Sequence, residues 1–239
     1  MARRNFNEII YLDWDTIFFK KKIGRIDYCD ETDLRSLLQQ ARRENFKLIY
    51  VFGSGKMFLH PDILTEFNGK LVDRKVIYEN KEFIPKKLCV QVEEYSQAEV
   101  SDDLLQLAYV SGHYSRFQLD THFQQDDFYK MYKTWIDKSV SHEIADKVYV
   151  IRSNNQLCGM VTLKISAGKG TIGLIAVSPL SQGKGYGQIL NDACCNELIN
   201  RNITTIEVAT QMDNIGACRF YEKRGFSIQS VTNIYHFWL

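Results

Sequence analysis

Apolar residues in the second half of the chain follow two different periods. Residues 126–140 place apolar side chains three and four positions apart, which predicts a helix. These side chains are Phe128, Met131, Tyr132, Trp135 and Ile136. Residues 147–166 instead alternate apolar and polar positions on both sides of Asn154 and Asn155, which predicts a β-hairpin.

The remaining elements predict the fold class. Further helices are expected at residues 30–45, 102–112, 185–201 and 213–225, and further strands at 47–53, 71–78, 168–179, 204–210 and 226–239, the last as one strand or two. Helices and strands alternate only near the end of the chain. We therefore expect an α/β (α+β) protein with a mixed, mostly antiparallel sheet flanked by helices.

A change in the pattern near Pro85 predicts two domains. Ser101, followed by two aspartates, has the residue types that begin a helix. We place a smaller N-terminal α/β domain at residues 1–88, structural or on the acceptor side, and a second domain at residues 89–239.

Composition and charge exclude several classes of protein. The chain has 239 residues, 45% of them hydrophobic, so it can build real cores. Lys and Arg number 30 against 29 Asp and Glu, which argues against nucleic acid as a partner. Basic runs such as Arg3-Arg4 are expected to be solvated. No signal peptide or membrane-spanning stretch is apparent, so we expect a cytoplasmic protein with no membrane partner.

Cysteine and histidine spacing suggests neither disulfides nor a metal. The six cysteines have no CxxC spacing and the five histidines form no ligand-spaced cluster. We expect free, mostly buried thiols and no bound metal.

A glycine-rich turn separates the strand at 168–179 from the next helix. Gly183, Gly185 and Gly187 would let the backbone approach an anion, and the unpaired N–H groups of the helix would bind it. On glycine spacing alone, a tight strand-to-helix turn explains the pattern equally well. A P-loop fits poorly because Lys184 is followed by Gly185, and a dinucleotide fold fits poorly because the glycines lie deep in the chain.

Gln182, Gly185 and Gly187 match the pattern Q-x-x-G-x-G, which resembles the acetyl-CoA-binding motif of the GCN5-related N-acetyltransferases. The resemblance implies that the turn holds the pyrophosphate of acetyl-CoA and that the preceding strand binds its pantetheine arm. A backbone N–H of Ile175, Ala176 or Val177 would stabilise the oxyanion. The turn residues implied to bind are Gln182, Gly183, Lys184, Gly185, Tyr186 and Gly187.

A second motif supports the same resemblance. Asn214, Ala217, Tyr221, Gly225 and Phe226 match N-x-x-A-x-x-x-Y-x-x-x-G-F, and helical spacing puts Asn214 and Tyr221 on one face. The resemblance implies that Asn214 and Ala217 contribute to the acetyl-CoA site and that Tyr221 protonates the leaving sulfur. A phenol suits this role because it stays protonated at neutral pH.

The acceptor is implied by a narrower resemblance. Trp14-Asp15 with Phe18-Phe19, and Ser115-Arg116-Phe117, resemble the bacterial TDP-fucosamine acetyltransferases, which acetylate the 4-amino group of a dTDP-4-amino-4,6-dideoxyhexose, a surface-polysaccharide donor. Lys20 departs from the glycine common in those enzymes. The acceptor residues implied are Tyr114, Ser115, Arg116 and Phe117, with Arg116 suited to a phosphate. The resemblance also implies a possible homodimer.

The general base and the acceptor stay open at this point. His113, His122 and Glu207 are candidates for the base, although a structural role is the simpler expectation for each histidine. A further alternative is that no protein base is needed, because a sugar amine is partly neutral near pH 8 and water can carry the proton. The same chemistry on a peptide, a protein N-terminus or a small amine is an alternative. A non-catalytic acetyl-CoA-binding module is a second alternative.

Overall fold

The computed structural model describes residues 8–28 and 30–239, so Arg3, Arg4 and Cys29 lie outside the described residues. The α-helices are α1 (Asp13–Phe19), α2 (Glu31–Arg43), α3 (Pro61–Glu66), α4 (Asp102–Ser111), α5 (Arg116–Leu119), α6 (Gln125–Val140), α7 (Tyr186–Asn200) and α8 (Ile215–Lys223). The strands are β1 (Ile10–Tyr11), β2 (Ile23–Asp27), β3 (Leu48–Ser54), β4 (Gly69–Asn80), β5 (Glu93–Glu94), β6 (Lys147–Ser153), β7 (Gln156–Ser166), β8 (Lys169–Val177), β9 (Ile206–Gln211) and β10 (Ser227–Trp238).

The chain divides into two compact units. The first takes in the described residues up to Val76 together with 211–213 and 230–239, and the second takes in 77–210 and 214–229. Each unit is defined by contacts within the folded chain, whereas a domain in the predicted sense must fold on its own. The division into residues 1–88 and 89–239 therefore stays a prediction.

The first unit packs a short sheet against α2. β2 pairs in parallel with β3, and the last part of β10 pairs antiparallel with β3 from Thr232 opposite Ser54 to Trp238 opposite Leu48. Asp30 caps α2 by accepting a hydrogen bond from the Asp33 amide at 2.9 Å. The apolar face of α2 is buried in the core of this unit; its buried residues are Leu34, Leu37, Leu38 and Ala41.

The second unit carries strands in the order β9-β8-β7-β6-β5. β8 and β9 are parallel, whereas the other neighbours are antiparallel. Asn154 and Asn155 have φ angles of 51° and 61° at the β6–β7 turn, which confirms the predicted hairpin. The predicted α/β class with a mixed sheet flanked by helices is confirmed.

Helices α4 and α6 are covered on one side by the sheet of the second unit. Ser101 caps α4, as predicted, by accepting a hydrogen bond from the Leu104 amide at 3.4 Å. The buried side chains shared by these helices and the sheet include Leu104, Leu107, Ala108, Ile136, Val148, Val150 and Met160. Within residues 8–28 and 30–239, no helix is long and apolar enough to cross a membrane.

Candidate functional site

The final part of β8 has one edge that β9 does not pair. The parallel register runs through Gly170 opposite Ile206 and ends at Ile172 opposite Val208. On the other edge β8 stays paired with β7 as far as Val177 opposite Gly159. Among the described residues, the edge from Gly173 to Val177 therefore keeps backbone groups that no strand satisfies.

A β-bulge at Gly173 and Leu174 sets which amides face that unpaired edge. β8 has one more residue than β7 between the pairs formed by Ile172 and Ile175. The Leu174 amide donates to the Thr162 hydroxyl at 2.8 Å. A Cβ at Gly173 would lie 2.8 Å from the same oxygen, so a side chain there would displace the Thr162 hydroxyl.

Alternation along β8 then separates the three predicted oxyanion donors. The Ser178 amide donates to the Cys158 carbonyl on β7 at 2.8 Å, so amides at even positions from 174 face β7. The Ala176 N–H group therefore points toward β7. Ile175 and Val177 direct their N–H groups to the unpaired edge, which leaves these two as the candidates.

The glycine turn follows a 3₁₀ turn at Pro179–Ser181. Gly183 and Gly185 have φ angles of 78° and 79°, a left-handed conformation that glycine adopts without strain. Gly185 is the N-cap of α7, with no side-chain cap and no acidic residue in the first turn. The first N–H groups of α7 therefore lack partners from the helix itself, as an anion site requires.

Gly187 differs from Gly183 and Gly185 in its backbone conformation. It lies in the first turn of α7 with an ordinary φ. An added Cβ would lie 3.8 Å from Phe220 and Val177, which is ordinary van der Waals contact. The protein itself therefore tolerates a side chain there, so steric contact with these neighbours does not explain the glycine.

Asn214 and Tyr221 have different environments at the two ends of α8. Asn214 caps the helix, and its Oδ1 accepts a hydrogen bond from the Ala217 amide at 3.1 Å, which leaves the Nδ2 group to donate elsewhere. Ala217 is half-buried. Tyr221 is only 2% exposed, and its ring packs against Tyr78 and Phe226.

Burial also affects the ionisation of Tyr221. Burial raises the pKa of this phenol above its ordinary value, and the nearby thiols of Cys194 and Cys218 raise the pKa further. The hydroxyl therefore stays protonated at neutral pH, as a proton donor must.

A cavity of about 650 Å³ lies beside the end of β8. It brings together Ile175, Ala176, Val177, Gln182 and Asn214 from the predicted acetyl-CoA site with His113 and Tyr114 from the predicted acceptor loop. Tyr221, Lys184 and Arg116 are not among the residues that line it. The cavity thus brings part of the predicted acetyl-CoA site next to Tyr114 and His113.

The acceptor loop is anchored by residues that were predicted to bind substrate. Ser115 is buried and accepts a hydrogen bond from the Phe117 amide at 3.2 Å, so it caps the short helix α5. Phe117 is buried and packs edge-on against Phe123 and Trp135. The guanidinium of Arg116 lies 4.7 Å from the Phe117 ring centroid. Tyr114 is the member of this group that lines the cavity.

The three candidate bases also occupy different environments. His113 lines the cavity. His122 instead contacts Asp120, with 2.9 Å between Nδ1 and Oδ1. Glu207 is buried and pairs with Lys169, with 2.5 Å between Oε2 and Nζ.

Sequence reasoning missed the aromatic wall of the cavity. Tyr109 on α4 meets Tyr129 on α6 edge-on at 4.8 Å between ring centroids, and both line the cavity with Phe128. The helical spacing placed these residues on helices but could not show which faces meet. Burial raises the pKa of the Tyr109 phenol above its ordinary value.

Comparisons with known proteins agree with this geometry. Residues 110–226 match the family described as the acetyltransferase (GNAT) family. The dTDP-fucosamine acetyltransferase of Escherichia coli O6:H1 is 30% identical over 138 residues, 57% of each chain. The mycothiol acetyltransferase of Tsukamurella paurometabola is 32% identical over 78 residues, 31% of this chain and 27% of that protein. The chain thus matches less than two thirds of the length of these relatives.

A solved structure shows the same fold. The GCN5-related N-acetyltransferase from Sphaerobacter thermophilus superposes with a TM-score of 0.55 and 13% identity, covering 92% of this chain and 73% of that chain. At this identity the likeness concerns the fold alone. Residues 110–226 of the chain therefore match the acetyltransferase (GNAT) family, and the fold agrees with that match.

Proposed function

We propose that this protein is an acetyl-CoA-dependent N-acetyltransferase that acetylates the amino group of a nucleotide-linked amino sugar, of the dTDP-4-amino-4,6-dideoxyhexose type. The observation that carries the proposal is the unpaired edge of β8, which leads to a glycine turn and the N-terminus of α7. This arrangement suits a long ligand with amide groups at one end and a pyrophosphate at the other.

The residues present fit acetyl-CoA. The unpaired edge from Gly173 to Val177 offers backbone donors and acceptors for the pantetheine amides. The turn around Gly183 and Gly185 and the first amides of α7 suit the pyrophosphate, helped by the helix dipole. Asn214 lines the adjoining cavity and has Nδ2 to donate.

When bound, acetyl-CoA supplies an acyl group activated as a thioester. The amide of Ile175 or Val177 stabilises the negative charge that develops on the acyl oxygen. Tyr221 donates its proton to the departing sulfur. The cavity holds the amine in line with the acyl carbon, so positioning of the two substrates also lowers the barrier.

The lining of the cavity favours an uncharged ring as the part of the acceptor that enters it. None of the described residues that line it is Lys, Arg, Asp or Glu, whereas Tyr109, Tyr114, Phe128 and Tyr129 supply aromatic faces. Such faces pack on the apolar side of a sugar. We propose that Arg116, which does not line the cavity, binds the nucleotide phosphates. The match with a protein named dTDP-fucosamine acetyltransferase supports this choice.

Two further properties belong to the same proposal. We assign the protein to the cytoplasm, since Cys89, Cys158, Cys194, Cys195 and Cys218 are free thiols. We also propose a homodimer, which sedimentation at working concentration would test.

The test is thiol release from acetyl-CoA with a panel of acceptors. The panel contains dTDP- and UDP-linked 4-amino and 3-amino 6-deoxyhexoses, the free amino sugars, and peptides with free N-termini. We expect turnover with a dTDP-linked 4-amino sugar and much less with the free sugar. Turnover with peptides alone would contradict the proposed acceptor. Acetyl-CoA binding without turnover on any amine would contradict the enzyme itself.

A further inference from the structure

We propose that His113 is the general base that takes the proton from the acceptor amine. The inference rests on the proposed N-acetyltransferase function and deepens it, because it assigns the second proton transfer of that reaction. It is carried by the position of His113 in the cavity and by the chemistry of the other residues around that cavity.

His113 faces the space in which the two substrates would meet. It lines the same cavity as Ile175 and Val177 of the unpaired β8 edge and as Asn214 at the start of α8. In the proposed complex the acyl group lies along β8, and the amine reaches it from this cavity. His113 is therefore placed on the acceptor side of the reacting atoms.

The other titratable groups that line the cavity are tyrosines. They are Tyr109 from α4, Tyr114 from the loop after α4, and Tyr129 from α6, whereas the described lining residues of β8, the 3₁₀ turn that follows it and the start of α8 include no titratable side chain. A phenol ordinarily has a pKa near 10 and is protonated at neutral pH, so it is a poor proton acceptor there. An imidazole ordinarily has a pKa near 6.5, so its neutral form is available as a base.

The competing bases are engaged elsewhere. The Glu207 carboxylate is buried against Lys169, and Glu207 is not among the residues that line the cavity. The His122 imidazole contacts Asp120, and His122 does not line the cavity either. Of the three bases that the sequence suggests, the geometry therefore favours His113.

The backbone around His113 is fixed by close packing. A Cβ at Gly112 would lie 2.3 Å from the Tyr132 ring, so α4 ends in direct contact with α6. The His113 amide donates to the Val110 carbonyl at 3.3 Å, and the Ser115 amide donates to the Gly112 carbonyl at 2.8 Å. The Tyr114 ring stands edge-on to the imidazole at 5.2 Å between centroids. These contacts hold the backbone that carries the imidazole, whereas His113 itself is exposed and open to a ligand.

Two protein groups, His113 and Tyr221, transfer the protons of the reaction. The amine nitrogen forms a bond to the acyl carbon and loses one proton to the neutral His113 imidazole. The carbon–sulfur bond breaks, and the sulfur receives a proton from Tyr221. His113 then releases its proton to solvent and Tyr221 regains one, so that amine and thioester give amide and free thiol.

The experiment compares His113→Gln with wild type by the pH dependence of kcat on the best acceptor of the panel. The kcat profile is informative because kcat/KM also reports the ionisation of the free amine. We expect kcat to fall by about 10²-fold or more. We also expect the acid limb to move to higher pH, toward the ionisation of the bound amine, because glutamine cannot take the proton. The Kd for acetyl-CoA should not change.

Two further variants keep the test decisive. His122→Gln, in the same region of the chain, should keep the wild-type acid limb. His113→Ala should regain turnover when imidazole is added to the buffer, in proportion to the neutral imidazole present. An unchanged limb in His113→Gln, or a shifted limb in His122→Gln, would overturn the assignment. Wild-type silence with every amine, with acetyl-CoA still bound, would instead overturn the proposed function, and the role of His113 with it.

Discussion

At the scale of single residues, the sequence pattern predicts a role for Tyr221 but cannot show the surroundings of its side chain. Helical spacing relates Tyr221 to Asn214, yet Asn214 is a cap and Tyr221 is buried against Tyr78 and Phe226. Burial depends on residues distant in the chain, which spacing along one helix does not contain. The structure adds the physical property that the sequence lacks, namely a phenol whose pKa is raised by burial.

We predict that Tyr221→Phe lowers kcat by about 10²-fold or more, because the sulfur loses its proton donor while the ring keeps its packing. The raised pKa means that ionisation of Tyr221 should not lower activity as pH rises through the neutral range.

Tyr78→Phe is the matched control: it removes a neighbouring phenol that donates to Glu222 at 2.9 Å. It should cost about 1 kcal/mol of stability and keep turnover. Steady-state kinetics and urea denaturation measure both effects, and full turnover by Tyr221→Phe would exclude it as the acid.

At the scale of elements, the sequence placed the glycine turn correctly between β8 and α7 but could not separate its glycines by role. Positions 183 and 185 favour glycine because their φ angles are positive. At Gly187, in contrast, an added Cβ would make only ordinary van der Waals contacts. Nor could the sequence show that β8 separates from β9 after Ile172. Both features depend on how distant strands and helices pair, and local patterns do not encode this.

We predict that Gly187→Ala weakens acetyl-CoA binding at least about tenfold, or 1.4 kcal/mol. Stability should stay the same or rise, because alanine favours a helix by up to about 1 kcal/mol over glycine. Isothermal titration and thermal unfolding separate the two effects. Gly168→Ala is the control, since Gly168 has a φ of 75° in the β7–β8 turn and an added Cβ would meet no atom within 4 Å. It should lose about 1 kcal/mol of stability and keep its affinity. Equal affinity of Gly187→Ala and wild type would argue against an anion at this turn.

At the scale of the whole molecule, the sequence predicted a strand at the C-terminus but not its partner. The last part of β10 pairs with β3, and the Tyr235 hydroxyl accepts a hydrogen bond from the Leu59 amide, 176 positions away in sequence. A pairing between segments so far apart leaves no trace in local periodicity. The boundary near residue 88 therefore follows a change in pattern, whereas the compact unit also includes the end of the chain.

This pairing leads to a prediction about a fragment of residues 89–239. Tyr235 and Phe237 are buried in the core of the first unit, and Phe237 lies so close to Gly69 that a Cβ there would be 2.3 Å from its ring. The fragment lacks β3, so these two rings lose that core. Exposing a buried large apolar side chain costs about 1.5–3 kcal/mol, a substantial part of the roughly 5–15 kcal/mol that stabilises a domain.

We expect the fragment to aggregate or to unfold without a cooperative transition, whereas the full chain should unfold cooperatively. Adding a separately expressed 1–88 fragment should restore soluble material, because it supplies β3 and the strand's missing hydrogen-bond partners. Calorimetry and size-exclusion chromatography of the three samples make the comparison. A monomeric 89–239 fragment with a sharp transition would show that residues 230–239 do not need their partner strand. The predicted boundary would then mark an independently folding domain.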